Sequence, residues 1–248
     1  MCPFGAIRDQ ASIPSIVRAP VRRPKSCVRH GIWRGLLALL IVCATVAGAT
    51  ATDLAGIVKR AEQRYGAQAR DEVLDWLELL ETSRDLDVGR KLALVNDFFN
   101  HRIRFDDDIR LWQQPDYWAT PLETIGLGAG DCEDFSIAKY ASLKALGLPV
   151  SQMRLIYVRA RVGDPSRGIV QAHMVLGFYA TPTAEPLILD NLVGDIRPAS
   201  QRPDLYPVFS FNGEGLWVGG AASSSADPTM RLSRWRDLLA RMRDDGLE

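Results

Sequence analysis

From Gly128 to Pro149 the chain runs "GAGDCEDFSIAKYASLKALGLP", a helix with both of its ends marked. Asp131 is a good helix N-cap, acids fill the turn after it, and Gly147 followed by Pro149 supplies the matching stop. The helix therefore opens with Cys132 at its first position, presented by a turn carrying glycines 126, 128 and 130. The neighbours of that cysteine are unexpected. It is the only one in the last 205 residues, and Asp131, Glu133 and Asp134 crowd it. Negative charge raises a thiol's pKa and weakens it as a nucleophile, and a cysteine used as core filler prefers apolar company. Something beside Cys132 has to offset the acids.

The chain before this helix is helical as well. "DEVLDWLELLE" sets Val73, Leu74, Leu77 and Leu80 at helical spacing, and "DVGRKLALVNDFFNHRIRF" sets Val88, Leu92, Val95, Phe99 and Ile103 on one stripe. "DDDIRLWQQPDYWATPLE" is expected as a loop, broken by Pro115 and Pro121. After the helix the period changes to two. "MRLIYVRARV" and "IVQAHMVLGFYA" form an antiparallel pair across the turn "GDPSRG", and "PLILDNLVGDIRP" adds one or two short strands. Segments around 198–207 and 219–228 are expected as surface connections, and "RLSRWRDLLARMR" as a closing amphipathic helix. A helical region (52–125), a catalytic helix with its sheet (126–211) and a C-terminal tail with a helix (212–248) make one α+β domain.

Charge divides the chain. Residues 1–51 carry seven basic side chains and one acid, leaving 23 basic and 29 acidic groups, a net of −6, for residues 52–248. The basic segment runs into the uncharged "GLLALLIVCATVAGATA", Gly35 to Ala51, which ends in small residues as a secretory signal does. The alternative is an uncleaved anchor, for which the apolar run is slightly short. Removing 1–51 also removes Cys2, Cys27 and Cys43, so Cys132 would enter an oxidising compartment with no internal disulfide partner. The acidic remainder has no basic stripe to meet phosphates, which excludes nucleic acid as a partner.

With one cysteine and two histidines after residue 51, candidate sites can nearly be enumerated. His173 lies mid-strand in phase with Gln171, Val175 and Gly177, on the face away from the apolar run of Ala172, Met174, Leu176 and Phe178. The next strand ends at Asp190, an isolated carboxylate after "LIL". A cysteine at a helix N-terminus, a histidine on one strand and an aspartate on the next is the layout a thiol nucleophile needs. The helix end favours the thiolate, the histidine moves the proton and the aspartate holds the imidazole. "GLGAGD" lacks the Lys-Ser/Thr of a phosphate loop, "DDD" at 106–108 lacks the EF-hand spacing and is expected as solvated loop, and so few Cys and His suit zinc poorly. Trp112, Tyr117 and Trp118 serve either the core or a docking surface, and the second oxyanion donor is open among Gln113, Gln114 and Trp118.

"YWATPLETIGLGAGDCEDFSIAKY", followed by "AHMVL" and "LILDNL", resembles the bacterial transglutaminase-like cysteine proteinases, over roughly residues 53–211. The resemblance implies a papain-like/transglutaminase-like fold, with Cys132 as nucleophile, His173 as base and Asp190 as orienting acid. It also implies calcium beside the nucleophile, which would answer the puzzle of the acids. A hard cation needs oxygen ligands, supplied by Asp131, Glu133 and either Asp134 as a third ligand or Asp134 as a capping partner only. By the same resemblance the enzyme is periplasmic and cuts the N-terminal region of a large repeat adhesin at a di-alanine site, releasing biofilm cells. Its implied regulator is an inner-membrane cyclic-di-GMP receptor. An acyl transferase with the same triad, or a calcium-binding interaction module with a degenerate site, are the alternative functions.

Overall fold

The computed structural model describes residues 54–163, 168–219, 221 and 223–247. The signal or anchor expected over 1–51 lies outside these residues, as does the middle of the "GDPSRG" turn. No helix among the described residues is long and apolar enough to cross a membrane.

Helices α1 (54–65), α2 (Ala67–Ser83) and α3 (Val88–Arg102) come first, the last capped by the Asp87 side chain accepting from Arg90 N. Val73, Leu92, Val95, Phe99 and Ile103 are buried as the spacing requires, and Leu77 and Leu80 pack partly buried against the core. Leu74 and Val88 are exposed, however, and Trp76, outside the expected stripe, is buried. A two-residue strand, β1 (Arg104–Phe105), runs parallel to β2 (Ala129–Gly130) and brings residues 104–106 alongside the glycine turn. The segment expected as loop is more ordered than its prolines suggest. It holds one helical turn, α4 (Asp108–Leu111), and a full short helix, α5 (Pro121–Leu127). Pro121 starts α5 rather than breaking it, because a proline at the first position loses no helical hydrogen bond. Thr120 and Glu123 close a reciprocal capping box around that start.

Helix α6 (Cys132–Ala145) follows, and Gly147 ends it with a left-handed φ of 83°. Strands β3 (Met153–Val162) and β4 (Ile169–Phe178) pair antiparallel in an unbroken register that sets Val158 opposite His173. With β5 (Leu187–Leu189), β6 (Arg197–Pro198), β7 (Leu205–Phe211) and β8 (Leu216–Val218) they form one six-stranded sheet, ordered β6-β5-β4-β3-β7-β8. Part of the expected surface connection at 198–207 is therefore sheet, and Arg202 within it is buried. Short helix α7 (Pro228–Arg231) and the amphipathic α8 (Ser233–Asp244) close the chain. The result is the α+β architecture expected.

Both faces of the central strands are covered. Met174, Leu176 and Phe178 join the main core with Phe135 and Ile137 of α6, while Val175 packs with Ile156, Val158 and Ile188 in a second cluster. The register places His173 in phase with that second cluster, and His173 is 2% exposed rather than open to solvent. Helix α6 is tied to β4 by the Ser136 hydroxyl, which lies 2.9 Å from Cys132 O and 3.0 Å from Met174 O. It is tied to α2 by a buried bond from the Trp76 indole N–H to Ser142 Oγ, 2.8 Å. The Ser136 link fixes the first turn of α6 against the strand that carries His173.

Candidate active site

Cys132, His173, Asp131 and Glu133 line one cleft together with Tyr157 and Leu192. Asp190, at the end of β5, is fully buried behind His173. Its Oδ1 accepts from His173 Nε2 at 2.8 Å and from Leu192 N at 3.0 Å. Its Oδ2 accepts from Arg202 Nη2 at 2.7 Å, and Asn100 Nδ2 donates to its backbone oxygen at 2.8 Å. Burial alone would raise this carboxyl, but the His173 ring, the Leu192 N–H and Arg202 outweigh it and hold it at about 2. Asp190 is thus ionised and acceptor-only, so Nε2 carries the proton. Nδ1 is the nitrogen left to exchange a proton with a thiol.

Cys132 is a free thiol at the first position of α6. Its Sγ donates to Glu133 Oε2 at 2.9 Å. Burial pushes the thiol pKa up, and the neighbouring charge and hydrogen bond of Glu133 push it further. The conflict read from the sequence is therefore present in the fold: the acids oppose the thiolate.

Those acids form two overlapping groups with ligand atoms in reach of one another, Asp131 with Cys132 and Glu133, and Asp131 with Asp108 and Asp134. Burial, then the charges of Glu133 and Asp108, raise Asp131 to about 9. Burial raises Glu133 to about 7 and Asp108 to about 6. Asp134, fully buried, is pushed well above the carboxylate range by burial and then by the charge of Asp131. Asp134 Oδ1 accepts from Ala119 N at 2.7 Å and its Oδ2 from Asp131 N at 3.3 Å, so it does cap the helix. Asp108 accepts from Tyr117 N. One oxygen each of Asp108 and Asp131 is nevertheless buried with no hydrogen-bond partner. Buried carboxylate oxygens that repel one another and lack donors suit a hard, oxygen-seeking dication and little else. The residue set fits calcium.

Of the three acids expected beside the nucleophile, Asp131 meets Glu133 in one group and Asp134 in the other, and Asp134 also caps the helix. Asp108 corrects the expectation of a solvated "DDD" loop, since it is 4% exposed and faces Asp131 and Asp134. Parallel pairing of β1 with β2 carries it there, Asp106 N donating to Gly130 O at 3.0 Å. No local spacing signals this; only the β1–β2 pairing does. Gly130 is required by the same crowding, because a Cβ there would meet Asp134 Cβ and Oδ2 at 2.8 Å. Trp118 is buried and stacks on Phe211 at 5.5 Å, which makes it core; Tyr117 packs on Trp112 at 4.4 Å.

The α+β frame holds a free cysteine at a helix start and, on the neighbouring strands, a hydrogen-bonded histidine–aspartate pair, the parts a cysteine protease uses. Residues 71–218 match the family described as bacterial transglutaminase-like cysteine proteinase BTLCP, and the chain belongs to it. Among solved structures it is similar to Legionella pneumophila LapG in its calcium-bound form. Identity there is 42%, the match covers 76% of this chain and 98% of that one, and the TM-score is 0.66. The EGTA-treated form matches at 42% identity, 76% and 97% coverage and a TM-score of 0.66. A third LapG structure matches at 41% identity, 76% and 95% coverage and 0.65. No curated protein matches.

Proposed function

We propose that this cysteine protease is a calcium-dependent endopeptidase of the periplasm that works through Cys132, His173 and Asp190. We further propose that its substrate is the N-terminal region of a large surface adhesin, whose cleavage releases cells from a biofilm. The observation that carries the reading is the ionised Asp190 holding His173 Nε2 at 2.8 Å in the cleft that Cys132 also lines. In the reaction, His173 Nδ1 takes the thiol proton and Sγ attacks the scissile carbonyl carbon. The backbone N–H of Cys132 at the helix start favours the oxyanion. His173 then gives its proton to the departing amine, leaving a thioester on Cys132. Water, deprotonated by the same imidazole, hydrolyses that thioester to the carboxylic acid and restores the thiol. Asp190 keeps the imidazole in one tautomer and offsets its positive charge.

Asp108, Asp131, Glu133 and Asp134 are the residues that would hold calcium. Bound there, the ion would neutralise the acids that otherwise disfavour the thiolate. The solved relative, known in calcium-bound and EGTA-treated forms, supports this assignment. Likeness to that family also supports an inner-membrane cyclic-di-GMP receptor as regulator. The test is to mix the exported protein with an adhesin N-terminal fragment that carries a di-alanine site. Cleavage should stop with a chelator and return with calcium better than with magnesium, which sheds its waters reluctantly. Cleavage indifferent to both treatments would remove the metal from the reading. No cleavage of any such fragment, together with amide transfer to an amine, would favour the acyl transferase.

A further inference from the structure

The connection that reads as surface, "ASQRPDLYP", contributes a buried arginine. Arg202 has a side chain 2% exposed. Its Nη2 donates to Asp190 Oδ2 at 2.7 Å and to Asp204 Oδ2 at 2.7 Å, and its Nε donates to Asp204 Oδ1 at 3.0 Å. The guanidinium edge therefore grips both oxygens of Asp204 and turns one nitrogen onto the oxygen of Asp190 that faces away from His173. On the opposite side, Oδ1 of Asp190 is occupied by His173 and Leu192 N. The Asp190 carboxylate is pinned at both oxygens. Rotating it would break a buried charge-assisted bond on one side and the histidine bond on the other, and neither partner could be replaced by water at this depth.

We infer that Arg202 and Asp204 form a positioning clamp that holds the Asp190 carboxylate in the orientation in which it fixes His173 Nε2. The inference rests on the triad proposed above. A buried arginine beside a catalytic carboxylate carries a cost as well as a benefit, since its positive charge opposes the imidazolium that forms during catalysis. Asp204 resolves this. With one arginine between two carboxylates, the group presents a net single negative charge to His173, as an unassisted aspartate would. Asp204, with its side chain about one-third exposed, is the outer member, and the planar fork it grips is what a lysine cannot reproduce. Neither Arg202 nor Asp204 lines the cleft that holds Cys132 and His173. Their effect on turnover passes wholly through Asp190.

The test uses Arg202→Lys, Arg202→Ala and Asp204→Asn in the full exported protein, with Asp190→Asn as reference. The probe is the adhesin N-terminal fragment carrying a di-alanine. Expected is a fall in kcat of about tenfold to a hundredfold for Arg202→Ala with KM unchanged, and a smaller fall for Arg202→Lys and Asp204→Asn. The downfield proton signal of His173 Nε2–H should broaden or shift upfield in Arg202→Ala, while the fold persists by melting. Guanidinium at sub-denaturing concentration should restore part of the Arg202→Ala turnover, where methylammonium should not. A purely structural role would predict no such selective rescue and no change in the His173 signal. If Arg202→Ala fails to fold, Asp204→Asn, at the exposed end of the clamp, carries the test by the same kcat and resonance readings. Impaired Asp190→Asn beside wild-type turnover and an unchanged His173 signal in the folded clamp variants would overturn the clamp alone. Wild-type turnover in Asp190→Asn would overturn the triad, and the clamp with it.

Discussion

Asp131→Asn should make the calcium-free protein more stable, not less. Asparagine caps a helix as well as aspartate does, so the start of α6 is preserved and only the charge is removed. The Asp131 carboxyl ordinarily ionises near 3.8 and is held here up to about 9, first by burial and then by the charges of Glu133 and Asp108. At pH 7 the folded chain must therefore keep a proton that the unfolded chain would release. At about 1.4 kcal/mol per pH unit, that costs at most about 4 kcal/mol, and about 2–4 kcal/mol where the neighbouring acids share it. For a raised carboxyl the stability is fully present below 3.8 and is lost as pH rises toward 9. Calcium-free wild type should thus melt progressively lower between pH 4 and pH 9, and Asp131→Asn should flatten that slope. Near pH 7, scanning calorimetry in a chelator should find the variant about 5–10 °C higher in Tm. Calcium at a hundred times its Kd should raise the wild type by a similar amount, corresponding to about 2.7 kcal/mol, and should leave the variant nearly unmoved. A variant less stable than wild type in chelator, together with no response of the wild type to calcium, would refute a cation site built on repelling acids.

Cys132→Ala and His173→Ala should each reduce cleavage of the adhesin fragment by at least about 1,000-fold with the fold intact, and Asp190→Asn by about 100-fold or more, read from initial rates on gels. Gly130→Ala replaces no calcium ligand, yet its Cβ would meet Asp134 at 2.8 Å and displace that carboxylate; calcium affinity by titration calorimetry should weaken by about tenfold. Lys139→Met should stabilise the protein at pH 7 by about 1–3 kcal/mol in urea denaturation. Burial lowers that amine from 10.5 to about 7, so its stability contribution is complete only above 10.5 and is lost as pH falls toward 7; the bond to Asn96 Oδ1 at 2.9 Å offsets part of the gain.

Much of this arrangement was legible in the residues. The cap and stop of α6 are local chemistry, and Asp131, Gly147 and Pro149 announce them. The alternation of β3 and β4 and the sequence order cysteine, histidine, aspartate place Cys132, His173 and Asp190 on their elements. The hidden parts depend on contacts between distant segments. Asp108 looks like one of three loop acids until β1 pairs with β2, and Arg202 looks like a surface arginine until β7 joins the sheet beside it. The burial of His173 was hidden for the same reason. Its phase along β4 is correct, but the second cluster around Ile156, Val158 and Val175 covers a face that alternation alone leaves open. Helix α5 is hidden in the residues because Pro121 has the local signature of a breaker, whereas it starts the helix.

In the proposed mechanism Cys132, activated by His173, becomes acylated by the chain it cuts. The direct measurement is intact mass spectrometry after rapid acid quench of the calcium-loaded protein with the adhesin fragment, with peptide mapping of the adduct. The expected result is an added mass equal to the N-terminal cleavage product, carried as a thioester on Cys132 and absent in Cys132→Ala and His173→Ala. Undiminished cleavage by Cys132→Ala, with no adduct on the wild-type protein, would contradict it.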